Sequence, residues 1–196
     1  MQDLPKAIGL YDPRFEHDSC GVSFVVDVHG RASHEIVATG LGALCSMEHR
    51  GATGAETQTG DGAGILLQIP HKFFSAATDF ALPNIGCYGV GLAFLPRTEE
   101  LATKARAQIE LIVAQQKLRT LGWRSVPFDP SCLGASAHRV MPSFMQIFID
   151  DPSGATLIDL DRKLFILRKR IEHELIGDQK TYFPSLSSRT LIYKGM

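Results

Sequence analysis

The chain has 196 residues, 44% of them hydrophobic and 21% charged, with a formal net charge of −1. That length suits one compact domain with its own core and argues against a second full domain. The near-zero charge leaves no basic surplus for nucleic acid or an anionic membrane surface.

No apolar stretch reaches ~18 residues, so nothing reads as a membrane span. Met1-Gln2-Asp3-Leu4-Pro5-Lys6 lacks the apolar core of a secretory signal. The expected compartment is therefore the cytoplasm and the expected state of the cysteines is the free thiol. Cys20, Cys45, Cys87 and Cys132 stand 25, 42 and 45 positions apart, which is no zinc-ligand spacing.

Residues 1–19 read as an irregular leader, broken by Pro5, Gly9 and Pro13. Val22 to Val28 is β-branched and aromatic and predicts a buried strand, with His29-Gly30 as the turn after it. Ser33 is placed to cap a helix carrying Ile36, Val37, Leu41, Leu44 and Met47 at helical spacing and ending near Glu48. Glycines then crowd the chain from Gly51 to Gly64. Ile65 to Ile69 predicts a strand closed by Pro70. Ile85 to Leu95 predicts another, whose internal glycines point to a bulge or to close backbone approach. Glu99 to Leu121 predicts a long helix with Leu101, Ala105, Ile109, Ile112, Val113 and Leu118 on one side and Gly122 as its stop. Phe144 to Ile149 is a further strand, Leu160 to Leu175 a helix, and Ser187 to Lys194 a strand. The basic run Arg162, Lys163, Arg168, Lys169 and Arg170 reads as the wet side of that last helix. Strands mixed with long helices make the fold class α+β.

Three places could carry chemistry. Cys20-Gly21 sits where an irregular polar leader meets an apolar strand. A lone cysteine is commonly a small core hydrophobe, but a residue at a strand's first position can be accessible while its backbone is held rigid, which suits a nucleophile. Glu48-His49-Arg50-Gly51-Ala52 reads either as a helix end favoured by the dipole or as a turn presenting an N–H and a guanidinium to a site. Gly60-Asp61-Gly62-Ala63-Gly64-Ile65 leads into a strand, the reverse of a phosphate loop, and fits a mobile loop beside a site better than a nucleotide cradle.

Taken together these segments resemble one family. Cys20-Gly21-Val22, Ser33-His34-Glu35-Ile36-Val37, Glu48-His49-Arg50-Gly51-Ala52 and Thr59-Gly60-Asp61-Gly62-Ala63-Gly64-Ile65-Leu66 are similar to the opening of glutamate synthase large subunits, in that order. The likeness continues in Ile69-Pro70-His71, Arg162-Lys163-Leu164, Arg168-Lys169-Arg170-Ile171-Glu172-His173 and Ser185-Leu186-Ser187-Ser188-Arg189-Thr190.

The resemblance implies a class II glutamine amidotransferase of the N-terminal-nucleophile type, with a four-layer αββα sandwich that is incomplete in this fragment. Residues 1–19 would be a propeptide and 20–196 the first part of the amidotransferase domain. Removal of the leader would leave Cys20 with a free α-amine, whose reference pKa of ~7.7–8.0 suits a general base at neutral pH. Cys20 would be the nucleophile, forming a glutamyl thioester and releasing ammonia for glutamate formation from 2-oxoglutarate. Arg50 and Gly51 match the family's active-site turn. Glutamine, the remainder of the large subunit and a small electron-donating subunit are the implied partners. FMN and an iron–sulfur cluster belong to the remainder, and no cofactor or metal is expected in this segment.

The sequence also departs from the family. Ser23 stands where glycine is usual, and Thr53 where a second cysteine is common. The family's Asn-Gly oxyanion pair has no counterpart, since Asn84 is the single asparagine and Ile85 follows it. Its His-Ser-Arg-Phe-Ser-type glutamine clamp is also missing. The expectation is a fragment that is inert alone. The glutaminase domain of another class II amidotransferase, and a non-catalytic structural module, remain as alternatives.

Overall fold

The computed structural model describes residues 8, 9, 12, 21–47, 56, 58–60, 62–175 and 181–195. They fall in two units, Met1–Ala63 and Gly64–Met196.

In the first unit the expected helix is present as α1 (His34–Ser46). Ser33 adopts extended backbone and its hydroxyl accepts the Ile36 N–H at 3.4 Å, as an N-cap should. Ile36, Val37, Leu44 and Met47 share a half-buried stripe, while Leu41 is exposed. The turn at His29-Gly30 also forms. Asp27 accepts the backbone N–H of His29 at 2.7 Å and the Arg31 guanidinium at 2.9 Å, and Gly30 takes φ +70°, which only glycine adopts freely. The preceding segment does not meet its expectation. Residues 21–27 form no strand, and Val22, Phe24, Val26 and Val28 are exposed. β-branched composition expresses a preference for pleated backbone, but a strand exists only where another strand pairs with it.

The second unit starts from β1 (Ala63–Gln68) and the short helix α2 (His71–Ala77). It continues through β2 (Tyr88–Leu95), α3 (Glu99–Gln115), β3 (Arg119–Ser125), α4 (Ala135–Val140) and β4 (Ser143–Asp150). It closes with α5 (Leu157–Leu175), β5 (Leu186–Ser187) and β6 (Thr190–Gly195). Four strands form an antiparallel sheet in the order β3-β4-β2-β5, and β1 pairs with β6 in a second sheet.

Alternation along β2 and β4 gives the larger sheet two apolar faces. Ala93, Leu95, Ile147 and Ile149 pack on Ala105, Ile109 and Ile112 of α3 and on Leu160, Leu164, Leu167 and Ile171 of α5. Tyr88, Val90, Leu92, Phe94 and Phe148 pack the other way, against Phe74 of α2, Ile69 and Leu191 of β6. Helices, sheet and second sheet thus make successive layers of an α+β unit.

Two sequence expectations are corrected here. The long helix stops at Gln115, not at Leu121, and Leu118 turns into the core. Lys117 takes φ +59°, its N–H bonds Ala114 O at 2.9 Å, and the Leu118 N–H bonds Val113 O at 3.1 Å. That is the Schellman pattern with lysine in the left-handed position. Residues 119–125 then pair with β4, and Gly122 is a strand residue beside an irregularity between Thr120 and Gly122. A Cβ on Gly122 would run into the Phe80 ring, so the glycine is there for space. The last strand is broken as well: β5 ends at Ser187 and β6 begins at Thr190. β5 belongs to the larger sheet and β6 to the smaller, so the chain changes layers between them.

Candidate functional site

Cys20, Arg50 and Gly51 lie outside the described residues, as do Glu48, His49, Ala52 and Asp61. What is described is the chain on either side of them. Gly21, bonded to Cys20, lies against Met47, the C-cap of α1 and the residue before Glu48. A Cβ on Gly21 would be 2.7 Å from Met47 Sδ. Chain neighbours of two expected site segments therefore meet. Gly62, in the third segment, takes φ +86° immediately before β1. Gly64 follows it with no room for a side chain, because a Cβ there would be 2.9 Å from the Tyr193 carbonyl oxygen on β6. The Ile69 N–H bonds Arg189 O at 3.2 Å, so β1 and β6 run antiparallel. In the second unit this glycine-rich segment serves strand packing.

The second unit also holds polar groups that sequence reasoning missed. Gln146, in the middle of β4, is fully buried on the face turned to the smaller sheet. Its amide donates to Tyr193 Oη at 2.7 Å and its carbonyl oxygen accepts from the Arg124 guanidinium at 2.8 Å. Arg124 in turn lies 5.2 Å over the Phe73 ring. Nearby, Tyr88 Oη is 3.0 Å from His71 Nδ1. Burial pushes the Tyr88 phenol up to about 12 and the Tyr193 phenol above its ordinary value. Both phenols are therefore neutral at physiological pH and act as hydrogen-bonding groups. The one available signal was a glutamine inside the apolar run Phe144-Met145-Gln146-Ile147-Phe148. A buried amide without partners would be costly there.

Several segments that carry the family resemblance turn out to be anchors. Asp161 on α5 accepts the Ser188 N–H at 2.6 Å, the Ser188 hydroxyl at 2.9 Å and the Ser187 hydroxyl at 3.1 Å. Ser187 Oγ accepts the Arg189 N–H at 3.0 Å, and Ser185 Oγ the Ile192 N–H at 3.1 Å. The Ser185–Thr190 segment thereby satisfies its own backbone where the chain passes from one sheet to the other. In the basic run, Lys163 pairs with buried Asp151, Arg168 donates to Pro184 O at 3.1 Å, and Lys169 meets Glu172 at 2.7 Å. Arg162 meets Asp159 at 2.9 Å and Arg170 bonds Glu174. The run is the wet side of α5, as its pattern suggests, and Leu160, Leu164, Leu167 and Ile171 are its dry side.

Cys45 and Cys132 are exposed free thiols and Cys87 is a half-buried one. Among the described residues no group of three or more His, Cys, Asp or Glu side chains is placed to hold a metal ion. None of the helices among them is long and apolar enough to cross a membrane.

A family model described as glutamine amidotransferases class-II matches residues 20–196. The glutamate synthase [NADPH] large chain of Bacillus subtilis is 40% identical over 196 residues, which are 98% of this chain and 13% of that protein. The glutamate synthase [NADH] of Schizosaccharomyces pombe is 39% identical over 202 residues, 98% of this chain and 10% of that protein. Ferredoxin-dependent glutamate synthase 2 of Synechocystis is 39% identical over 184 residues, 92% of this chain and 12% of that protein. The chain thus spans about an eighth of the length of such relatives or less.

Proposed function

This chain belongs to the class II glutamine amidotransferases, and we propose that it is the glutaminase part of a glutamate synthase large chain, with Cys20 as its nucleophile. The observation that carries this reading is where the family match begins: it starts at Cys20 and leaves residues 1–19 outside. The likeness to three synthases named for different electron donors supports the choice of synthase. The layered packing of α3 and α5 on a sheet, and of that sheet on β1 and β6, is compatible with an αββα sandwich.

On this reading the leader is removed and the Cys20 α-amine takes the thiol proton. The thiolate attacks the side-chain carboxamide carbon of glutamine, and the same amine returns the proton to the departing nitrogen, so ammonia leaves and a glutamyl thioester remains. Water then splits the thioester, giving glutamate and restoring the thiol. Arg50 and Gly51 line the turn beside the thiol. FMN and the iron–sulfur cluster belong to other parts of the synthase, where ammonia and 2-oxoglutarate become glutamate, with a small subunit as one route for electrons. The cytosol suits an enzyme that depends on an unpaired thiol.

The test uses the full-length protein. Cys20→Ala removes glutamine-dependent glutamate formation and leaves ammonia-dependent formation intact, and intact mass shows the mature chain starting at Cys20. Preferential labelling of Cys45, Cys87 or Cys132 by a glutamine-like electrophile overturns the assignment. Full activity with Met1 still attached overturns the N-terminal-nucleophile mechanism.

A further inference from the structure

A helix that buries one side against a sheet should be polar on the other. The outer side of α5 is not polar throughout. Leu160, Leu164, Leu167 and Ile171 are fully buried, whereas Ile158, Phe165 and Ile166 are 51%, 56% and 56% exposed. With Arg162 these three stand at i, i+4, i+7 and i+8, so they share one face of the helix, opposite the buried stripe. Together with Asp161 they line an open hollow of about 460 Å³. Single exposed hydrophobes are ordinary. An aromatic and two β-branched side chains grouped on one face and rimmed by charge mark a contact surface.

The charges around this face limit what can cover it. Arg162 pairs with Asp159 at 2.9 Å, Lys163 with Asp151, and Lys169 with Glu172 at 2.7 Å. Arg168 donates to Pro184 O at 3.1 Å and Arg170 bonds Glu174. Every arginine and lysine of α5 is thus engaged within the chain, and Asp161 is engaged by Ser187 and Ser188. Such a face has no free charge with which to steer a diffusing partner. A second copy fits poorly as well. If α5 met its own twofold image around Phe165 and Ile166, Arg162 would face Lys169 of the other copy, like charge against like. What fits is an uncharged apolar surface that arrives by tether, because a tethered surface is held at high effective concentration without steering. This chain spans an eighth or less of the length of the glutamate synthases it resembles. We propose that the Ile158, Phe165 and Ile166 face of α5 is the docking surface for the synthase portion of the same polypeptide, which presents an apolar patch to it. The inference rests on the reading of this chain as the glutaminase part of a synthase. On that reading ammonia released in one part must reach the other, so the two parts have to be held in a fixed relation.

The experiment uses full-length protein. Phe165→Cys and Ile166→Cys are introduced singly, and maleimide labelling at the new thiol is followed by peptide mass in the native protein and in urea. The native rate is at least ~10-fold below the rate in urea, because the face is covered until the interface opens. Equal rates overturn the docking surface. The protection persists on dilution, as it must within one polypeptide. Protection that disappears on dilution assigns the face to a second copy and overturns the proposal. Phe165→Asp places a carboxylate in the interface. It leaves glutamine hydrolysis and ammonia-dependent glutamate formation in place and lowers glutamine-dependent glutamate formation ~10-fold. A wild-type ratio of glutamate formed to glutamine hydrolysed in Phe165→Asp overturns the assignment to the synthase portion. The labelling carries the test if Phe165→Asp fails to fold. Glutamine-dependent glutamate formation that persists in Cys20→Ala overturns the glutaminase reading instead and leaves the labelling result standing, so the two failures are distinguishable.

Discussion

Gln146 is an amide placed where an aliphatic side chain would be ordinary. Its two bonds, to Tyr193 Oη and from Arg124, satisfy a residue with no exposed surface. Gln146→Leu keeps the bulk but deprives the phenol and the guanidinium of a partner, which costs about 1–3 kcal/mol. Urea unfolding measures it, and a loss below about 0.5 kcal/mol would mean that water replaces the amide. Tyr88 gives a pH prediction. Burial raises its phenol from 10.0 to about 12, which means the folded state favours the neutral form. The associated stability is intact below 10.0 and is lost as the pH climbs through about 12. Phenolate absorbance should show one tyrosine ionising near that value, and Tyr88→Phe should remove both the signal and part of the alkaline destabilisation.

The end of α3 and the passage from β5 to β6 are where single residues decide what an element does. Lysine in the left-handed position at Lys117 costs about 1–2 kcal/mol relative to a residue free to adopt it. Lys117→Gly should therefore leave the stability unchanged or raise it by about 1 kcal/mol, while Lys117→Val should lower it. An unfolding midpoint that falls in Lys117→Gly would show that the lysine side chain contributes more than its backbone strain costs. At the other junction one carboxylate holds two serines. Asp161→Ala removes three accepted hydrogen bonds at once and should cost about 2–3 kcal/mol. Amide exchange of Ser188 and of β6 should accelerate selectively, and unchanged protection there would show that strand pairing alone fixes the junction. The helix pattern from Glu99 was legible because α3 buries one stripe. Its true end was not legible, since Leu118 and Leu121 continue the helical spacing even though β4 recruits residues 119–125 into the sheet.

At the scale of the molecule, acid sensitivity is written into the turn before α5. Burial alone would raise the Asp151 carboxyl, but hydrogen bonds from Lys163 and Ser153 outweigh it and hold the group below its ordinary 3.8. A depressed carboxylate contributes stability above its unfolded value, and that contribution disappears as the pH falls through the folded one. The urea midpoint should therefore drop as the pH goes below about 4, and Asp151→Asn should flatten that dependence at the expense of stability at neutral pH. An identical acid profile in Asp151→Asn would assign the loss to other carboxylates.

The sequence by itself determined the elements whose evidence is local. Ser33 and its helical stripe, the His29-Gly30 turn, the strand after Gly64 that Pro70 closes and the amphipathic helix through Leu175 all declare themselves within a few residues. It also carried the family, because motifs in fixed order identify a lineage without any knowledge of contacts. Tertiary structure decided the remainder. Val22 to Val28 has strand composition but no strand, because pairing is a property of two segments. Gly122 reads as a helix stop and is instead the glycine that clears Phe80. Gln146 becomes intelligible only when Arg124 and Tyr193, from β3 and β6, are brought to it. Gly21 and Met47 are separated by a turn and a helix, and only folding makes a glycine beside the expected nucleophile answer to a methionine at a helix end. The reason is common to all four: local periodicity encodes backbone preference, whereas space and hydrogen-bond partners come from residues far along the chain.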